Sequence, residues 1–316
     1  MSERDQKIPP GYRKNDIGII PEDWEVKRLG EICFPSNKRI NPKTSEVNYK
    51  CIELENITPE TGRLIGYSYL RDSKSEKTLF LKGSVLFGKL RPYLRKYFLP
   101  NFEGVCSTEV WVLIPKDNIE SGYLYYLVQT DRIISSANQS IGTKMPRAEW
   151  NIVGSTYVPL PPLSEQRAIA RVLSDFDRLI ESLDRLIEKK KLIKKGAMQL
   201  LLTGKKRLPG FKGEWVRKRL GEVLKYEQPA KYIVKNTDYL ETGFVPVLTP
   251  GKTFILGYTD EKEGIYRDVP VIIFDDFTTA SKYVDFPFKV KSSAMKILNL
   301  KDENNDLKFI YEKMQL

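Results

Sequence analysis

Short apolar runs bounded by glycine and proline dominate the first half of the chain. Apolar and polar residues alternate over residues 51–57, whereas residues 85–87 and 110–114 are continuous β-branched and aromatic runs. Such runs are typical of buried β-strands. Residues 119–136 space their apolar side chains as a helix does, and residues 151–160 return to a strand pattern. The pattern predicts a mixed domain of strands and one helix, closed by a final strand.

A different pattern begins after the prolines at positions 161 and 162. Apolar residues recur at alternating steps of three and four, interrupted only by the lysine at position 190. This heptad pattern predicts one long helix that needs a partner helix along one face. We expect Ser164 to cap its start and Thr203 and Gly204 to end it, giving a rod of roughly 58 Å at about 1.5 Å per residue. The residues predicted to pair are Ile169, Val172, Phe176, Leu179, Leu183, Leu186, Ile193 and Leu200.

A ten-residue motif occurs twice in the chain. DWEVKRLGEI at residues 23–32 returns as EWVRKRLGEV at residues 214–223, 191 residues later. This period is too long for a solenoid repeat and matches a whole domain with its connector. The sequence therefore predicts an α+β protein with two similar mixed α/β domains. We expect a first domain over residues 1–163, a long spacer helix over 164–205, and a second domain over 206–316 that is incomplete at its C-terminal end.

Composition narrows the class of protein. Among 316 residues the net charge is +11, which favours a polyanionic partner such as nucleic acid. We expect a cytoplasmic protein, because the sequence has no long apolar run, no signal-peptide pattern and only three scattered cysteines. Acidic residues on the long helix argue against a membrane surface as its partner. Histidine is absent, which removes the commonest general base and zinc ligand.

No segment carries a convincing active site. Gly251, Lys252 and Thr253 lack the preceding glycine of a phosphate-binding loop, because Pro246 stands there. The carboxylates near residue 22 are too crowded for a nuclease metal site. Asp275 and the acid after it could hold a metal, form a solvated turn or accept hydrogen bonds from cytosine amino groups. We expect no catalytic residue and no metal ligand.

Two basic loops are the best candidates for contact with DNA. Residues 77–102 contain six lysines and arginines and no acid. Lysine can neutralise phosphates there, and arginine can read guanine edges. A solvated loop is the alternative. A second basic loop lies around residues 140–147, and hydroxyl-rich residues 277–283 follow the matching strand of the second domain. The predicted DNA-binding residues are Lys89, Arg91, Tyr93, Arg95, Lys96, Thr143, Lys144, Arg147, Lys252, Thr278, Thr279, Ser281 and Lys282.

Together these motifs resemble the specificity (S) subunits of type I restriction-modification systems, over essentially the whole chain. The matching segments are IG, IP, W and LGE between residues 17 and 31, PLPPLSEQ at 159–166, LLTG at 201–204, and GF, W and LGE between residues 210 and 222. The resemblance implies two target recognition domains, each reading one half of a split double-stranded DNA site. It also implies antiparallel helices that set the gap between the two half-sites.

The resemblance further implies partners that carry the chemistry. Methyltransferase (M) subunits would transfer methyl from S-adenosylmethionine to adenine, and restriction (R) subunits would translocate and cleave DNA. S-adenosylmethionine, ATP and magnesium are therefore expected on those subunits, and no cofactor on this non-catalytic chain. Such S subunits have a second long helix after the second domain, and this sequence ends before it. We therefore expect the heptad face to pair with another copy, an S fragment or an M subunit.

Two other classes of protein remain open at this point. A self-contained DNA nuclease would require clustered carboxylates or a metal site in the fold. A coiled-coil scaffold protein without a DNA role would show no salt-dependent DNA binding.

Overall fold

The computed structural model describes residues 8–139, 145–249 and 253–316. The chain divides into two compact units, Met1–Ser182 (unit 1) and Leu183–Leu316 (unit 2). The division falls within the long helix, so each unit includes part of it. The three-part division expected from the sequence stays a prediction.

Unit 1 combines short strands and short helices with the first part of the long helix. Its elements are β1 (Tyr12–Asn15), β2 (Gly18–Pro21), β3 (Glu25–Arg28), α1 (Leu29–Ile32), β4 (Cys33–Pro35), β5 (Arg39–Ile40), β6 (Lys50–Ile52), β7 (Ser68–Tyr69), β8 (Lys77–Phe80), β9 (Val85–Gly88), β10 (Tyr97–Phe98), β11 (Gly104–Cys106), β12 (Val110–Pro115), α2 (Ser121–Leu127), α3 (Asp131–Ala137), α4 (Trp150–Val153), β13 (Tyr157–Leu160) and α5 (Leu163–Leu201).

Two sheets organise unit 1. One has the strand order β10-β9-β12-β4, and the other has the order β5-β8-β11-β6-β7; β1 pairs with β2, and β3 with β13. The apolar runs predicted as strands at residues 85–87 and 110–114 lie side by side at the centre of the first sheet as β9 and β12. Their inward side chains pack against the helices, as do Leu29 and Ile32 of α1, which are fully buried.

Unit 2 repeats this plan with fewer elements. They are α6 (Leu220–Val223), β14 (Leu224–Glu227), β15 (Val245–Leu248), β16 (Ile255–Thr259), β17 (Val271–Asp275), β18 (Ser281–Val284), β19 (Lys289–Val290), β20 (Met295–Leu300) and α7 (Leu307–Met314). Its sheets have the orders β14-β20-β17-β18 and β16-β15-β19. The first sheet has the strand arrangement of the β10-β9-β12-β4 sheet of unit 1, with β14 in the place of β4 and β18 in the place of β10.

Strand register shows that the two units are copies of one design. Leu113 of β12 pairs with Val85 on one side and Pro35 on the other. Leu298 of β20 pairs in the same way with Ile272 and Tyr226. The repeat predicted from the ten-residue motif is therefore present in the strand pairing as well as in the sequence.

Four local expectations were wrong. The strand predicted over residues 51–57 ends at Ile52 and is followed by a 3-10 turn, Leu54–Asn56. The single helix predicted over residues 119–136 is two helices, α2 and α3. The strand predicted over 151–160 begins as helix α4. Finally, Ser164 does not cap α5, because the carbonyl oxygen of Pro162 already accepts the amides of Glu165 and Gln166, and Ser164 lies inside the first turn.

The predicted end of the long helix is confirmed. Its last helical residue is Leu201, and Gly204 takes φ +74°, the left-handed conformation that glycine adopts readily. The amide of Lys206 then donates to the carbonyl oxygen of Leu200 at 3.0 Å. The helix is 39 residues long, about 58 Å at 1.5 Å per residue. Among the described helices of the chain, none is long and apolar enough to cross a membrane.

Candidate nucleic-acid interface

The chain leaves β9 into a tightly folded loop, residues 89–96, here called the basic loop. Glycine is required at position 88, because a Cβ there would meet the Leu54 side chain at 2.8 Å and the Lys96 carbonyl oxygen at 3.2 Å. Arg91 and Arg95 take φ values of 52° and 49°, a left-handed conformation uncommon for residues other than glycine. One 3-10 turn, Pro92–Leu94, lies between them. The loop therefore holds its cations in a fixed arrangement at one end of the sheet.

The described end of the second candidate loop, residues 145–147, packs directly against the basic loop. The amide of Arg91 donates to the carbonyl oxygen of Pro146, and the amide of Ala148 donates to that of Lys89, both at 2.8 Å. The Arg147 guanidinium donates to both carboxylate oxygens of Glu109, at 2.9 and 3.1 Å. This carboxylate raises the pKa of Arg147. Two segments predicted separately thus form one surface in unit 1.

Three of the predicted cations make internal contacts. Lys96 donates to the carbonyl oxygen of Leu54 at 2.8 Å. Arg95 forms an ion pair with Asp131, which raises the pKa of Arg95. Arg147 is held by Glu109, as described above. The sequence around the basic loop contains no acid, but the fold brings Glu109 and Asp131 to it from more distant positions. The local sequence does not predict that these two acids lie next to the basic loop.

Lys89, Arg91 and Tyr93 differ from these three residues. Neither the Lys89 ammonium nor the Arg91 guanidinium has a hydrogen-bond or ion-pair partner within the described parts of the chain. The Nε atom of Arg91 is shielded from solvent and unpartnered. Tyr93 is 53% exposed. The terminal nitrogens of Arg91 carry most of the N–H donors of its guanidinium, so they are the groups of this residue that could meet an incoming acceptor.

The matching position in unit 2 is the turn between β17 and β18. The buried Asp275 carboxylate accepts the amides of Phe277 and Thr278 at 3.2 and 3.3 Å, and also the Thr278 hydroxyl. These hydrogen bonds lower the pKa of Asp275. Thr279 has φ +57° and donates its amide to the Asp275 carbonyl oxygen. Asp275 therefore shapes the turn, and its carboxylate is not available to cytosine or a metal.

The turn presents other side chains to solvent. Phe277 at its tip is 84% exposed and is not among the DNA-binding residues predicted from the sequence. The hydroxyl oxygen of Ser281 accepts a hydrogen bond from the side-chain amide of Gln315 at 2.7 Å. Lys282 lies on the exposed side of β18. The predicted residues Thr143, Lys144 and Lys252 lie outside the described residues.

The described residues offer no metal-binding cluster. No group of three or more histidine, cysteine, aspartate or glutamate side chains among them is placed to hold an ion. Asp276, the acid after Asp275, forms an ion pair with Lys296 at 3.1 Å.

The long helix exposes an extended apolar face. Ile169 packs against the core of unit 1, so it is occupied within its own unit. The other seven predicted pairing residues are each about half exposed. Leu173, Ile180 and Ile187, spaced seven residues apart, lie next to them and are also exposed. The face is therefore wider than the heptad seam predicted from the sequence.

Comparison with known proteins gives the family of the chain. The family described as "Type I restriction modification DNA specificity domain" matches residues 21–191, more than half of the sequence. The chain belongs to this family. It is 60% identical over 109 residues to the Type I restriction enzyme EcoR124I/EcoR124II specificity subunit of Escherichia coli, a match covering 34% of this chain and 26% of that protein.

Two further comparisons extend the likeness. The Type I restriction enzyme MjaIX specificity subunit of Methanocaldococcus jannaschii is 30% identical over 251 residues, which cover 68% of this chain and 55% of the relative. The chain thus matches about half or less of the length of these relatives. The crystal structure of a type I restriction-modification S subunit from M. genitalium shares the fold, with a TM-score of 0.62, 17% identity, and coverage of 98% of this chain and 78% of the other.

Proposed function

We propose that the chain is the DNA-reading component of a type I restriction-modification complex and recognises a bipartite target in double-stranded DNA. The observation that carries this proposal is the repeated sheet, which ends in a solvent-facing turn in each unit: the basic loop after β9 and the 275–280 turn after β17. Two copies of one reading module suit a target made of two half-sites. Family membership and the charge of +11 support the same function.

Some basic residues hold the basic loop in its conformation, and others are left to contact DNA. Arg95, Lys96 and Arg147 make internal contacts that hold the loop, so they shape the surface and supply positive potential. Lys89, Arg91 and Tyr93 are the groups left to meet DNA. In unit 2 we assign contact to Thr279, Ser281 and Lys282, with Thr278 holding the turn. Lysine suits phosphate as a point charge, and the arginine fork suits guanine.

Replacing Lys89 with alanine is expected to weaken binding to all DNA sequences alike. The slope of log affinity against log salt concentration should fall by about 0.9, the value for one lost phosphate contact on B-DNA. Titrations at several salt concentrations measure this slope. Lys43→Ala removes the same charge from an exposed position elsewhere in unit 1 and is the matched control. An unchanged slope in Lys89→Ala would remove this residue from the interface.

Replacing Arg91 with alanine is expected to lower affinity for the preferred sequence by about 1–3 kcal/mol and to relax preference at one base position. The physical reason is the loss of a two-pronged donor whose terminal nitrogens have no partner within the described residues. Arg91→Lys keeps the charge but not the fork, so it should lose the base preference and keep most of the salt dependence. If Arg91→Ala lowers affinity for all sequences equally, Arg91 is a phosphate contact and not a base reader.

The long helix is proposed to set the gap between the two half-sites. Its 39 residues run without a break, and a continuous helix is stiff on this scale. Inserting one heptad after Leu183 keeps the seam and lengthens the helix by about 10 Å. The preferred gap should then grow by roughly three base pairs at 3.4 Å each. Selection of bound sequences from random DNA measures the gap, and an unchanged gap would refute the spacer role.

The exposed face of the helix is proposed to pair copies of the chain, or to receive an S fragment or an M subunit. The residues proposed to pair are Val172, Phe176, Leu179, Leu183, Leu186, Ile193 and Leu200. An apolar face of this length on a described helix is typical of an interaction surface. We further propose docking of M and R subunits, which would bind S-adenosylmethionine, ATP and magnesium and carry out the chemistry.

A further inference from the structure

The positive charge of the chain is concentrated in one short stretch. Residues 189–212, here called the lysine segment, contain nine lysines and arginines and no acid. The other 292 residues hold 43 lysines and arginines against 41 acids, a net charge of only +2. The charge that favours a polyanionic partner thus lies outside both the basic loop and the 275–280 turn. The cations of the segment are Lys189, Lys190, Lys191, Lys194, Lys195, Lys205, Lys206, Arg207 and Lys212.

The lysine segment belongs to unit 2 and includes the end of the long helix. Its first five lysines lie in α5, and the other four cations follow the turn at Gly204. All nine side chains are exposed. Lys191 pairs with an acid one turn earlier on the helix, Lys194 pairs with Glu312 at 3.6 Å, and Arg207 donates to the carbonyl oxygen of residue 213. The other six side chains have no hydrogen-bond or ion-pair partner within the described residues.

Helix stability does not account for the lysines of α5. Lysine interacts favourably with the dipole of a helix at its C-terminal end, but this effect is confined to the last turn. The lysines of α5 lie six or more residues before its last residue, Leu201. Lys190 and Lys194 are also four residues apart. So are Lys191 and Lys195, and like charges at this spacing destabilise a helix, so a bound polyanion would relieve their repulsion.

The lysines of the helix match the charge spacing of a DNA duplex. Five lysines lie between residues 189 and 195, which is about 9 Å of helix axis at about 1.5 Å per residue. That is one positive charge in about 1.8 Å, and a duplex carries one phosphate charge per about 1.7 Å of its axis. A surface with this charge density can displace the counterions that condense on DNA.

The residue type favours a phosphate backbone over an acidic protein surface. Eight of the nine cations are lysine. Lysine meets phosphate as a point charge, whereas the arginine fork suits carboxylates and base edges. Lysine is also depleted in protein–protein interfaces, where arginine is enriched. The segment therefore suits a ligand that is held by its charge and not read by its sequence.

We propose that the lysine segment is a second DNA-binding surface, which holds the phosphate backbone of double-stranded DNA without reading its sequence. The proposal rests on the DNA-binding function proposed above, and it assigns most of the sequence-independent affinity to this segment. At about 3.6 residues per turn, the 195 position lies on the side of α5 opposite Ile193, so a partner helix on the apolar face would leave it free. The side chains assigned to phosphate contact are Lys195, Lys205, Lys206 and Lys212.

Replacing these four lysines with glutamine in the full chain tests the proposal. Glutamine has about the helix propensity of lysine and removes only the charge, so the variant should fold as the wild type does, which circular dichroism checks. Anisotropy of a labelled duplex of random sequence measures affinity. The slope of log affinity against log salt should fall by about 3.6, or about 0.9 for each lost contact. The fold loss in affinity should therefore be about 10²-fold larger at about 50 mM than at about 200 mM salt.

A matched variant removes four charges elsewhere on the chain. Lys14, Lys43, Lys74 and Lys262 are exposed, and their side chains have no partner within the described residues. Replacing them with glutamine lowers the net charge equally, and the slope should change by less than about 1. In the segment variant, a duplex that carries the preferred target should lose the same factor as the random duplex, because sequence preference stays with the basic loop and the 275–280 turn.

Chemical labelling locates the contact directly. Random duplex should slow acetylation of the four segment lysines several-fold and leave that of Lys43 and Lys74 unchanged. A salt slope equal to that of the matched variant, a loss confined to the preferred target, or labelling that DNA does not slow would overturn the proposal and leave the reading loops in place. A wild-type chain that binds no duplex at any salt concentration would overturn the proposed DNA-binding function together with this proposal.

Discussion

Changing Phe176 to aspartate is expected to separate paired copies of the chain and to raise the dimer dissociation constant about 10²- to 10⁴-fold. Burying such a side chain is worth about 1.5–3 kcal/mol, and a symmetric pair buries two of them. The combined loss of about 3–6 kcal/mol corresponds to this factor at about 1.4 kcal/mol per tenfold. Sedimentation equilibrium from low to tens of micromolar protein measures it.

The matched control for Phe176 lies on the opposite side of the same helix. Gln199 is exposed and points away from the apolar face. Gln199→Asp introduces the same charge without touching that face, so dimerisation should survive. A wild-type chain that is monomeric at tens of micromolar, with Phe176→Asp indistinguishable from it, would show that the face does not pair two copies.

Removing the charge of Glu261 is expected to destabilise unit 2 by about 3 kcal/mol. Its carboxylate accepts the Lys289 ammonium at 2.7 Å, and that lysine is only 1% exposed. Glu261→Gln would leave a buried cation that meets only neutral acceptors, the new glutamine oxygen and the Glu263 carbonyl oxygen, and breaking a buried ion pair typically costs about 3–5 kcal/mol. Hydrogen exchange over residues 245–248, whose strand pairs with β19, reports the opening of this sheet.

The same pair predicts a pH dependence. The Lys289 ammonium and two backbone amides lower the pKa of Glu261 from 4.5 to about 2. Because the folded-state pKa is the lower one, the stabilisation is complete above the ordinary pKa and is lost as the pH falls from about 4.5 towards 2. The difference in the free energy of unfolding between wild type and Glu261→Gln should therefore become smaller as the pH falls over that range. Glu263→Gln, whose side chain is 90% exposed in its pair with Lys235, should change stability little at any pH.

The central strands and the repeat could be predicted from the sequence. The β-branched runs that form β9, β12 and β17 could be predicted as buried strands from local composition alone. The ten-residue motif contains the short helices α1 and α6. The break between α2 and α3 could not be predicted so easily, since apolar spacing continues across it. The start of α5 depends on which carbonyl oxygen accepts the first amide hydrogen bonds of the helix. That oxygen belongs to Pro162, so the helix begins before Ser164.

The candidate interface was only partly predictable, because it depends on tertiary contacts. The sequence selected the basic loop and the 145–147 loop but had no signal that they pair with each other. Nor did it show that Glu109 and Asp131 would reach Arg147 and Arg95 across gaps of 38 and 36 residues. Phe277 was missed because a single aromatic residue in a turn has no periodic pattern to mark it as exposed.

Selection from random double-stranded DNA tests whether this chain reads a split DNA sequence, as proposed above. The chain, alone and together with the proposed methyltransferase subunits, would be allowed to retain DNA near physiological salt, and the retained sequences would be determined. We expect two short conserved blocks separated by a gap of fixed length and unconserved sequence. Enrichment of one continuous block, or no enrichment under either condition, would contradict it.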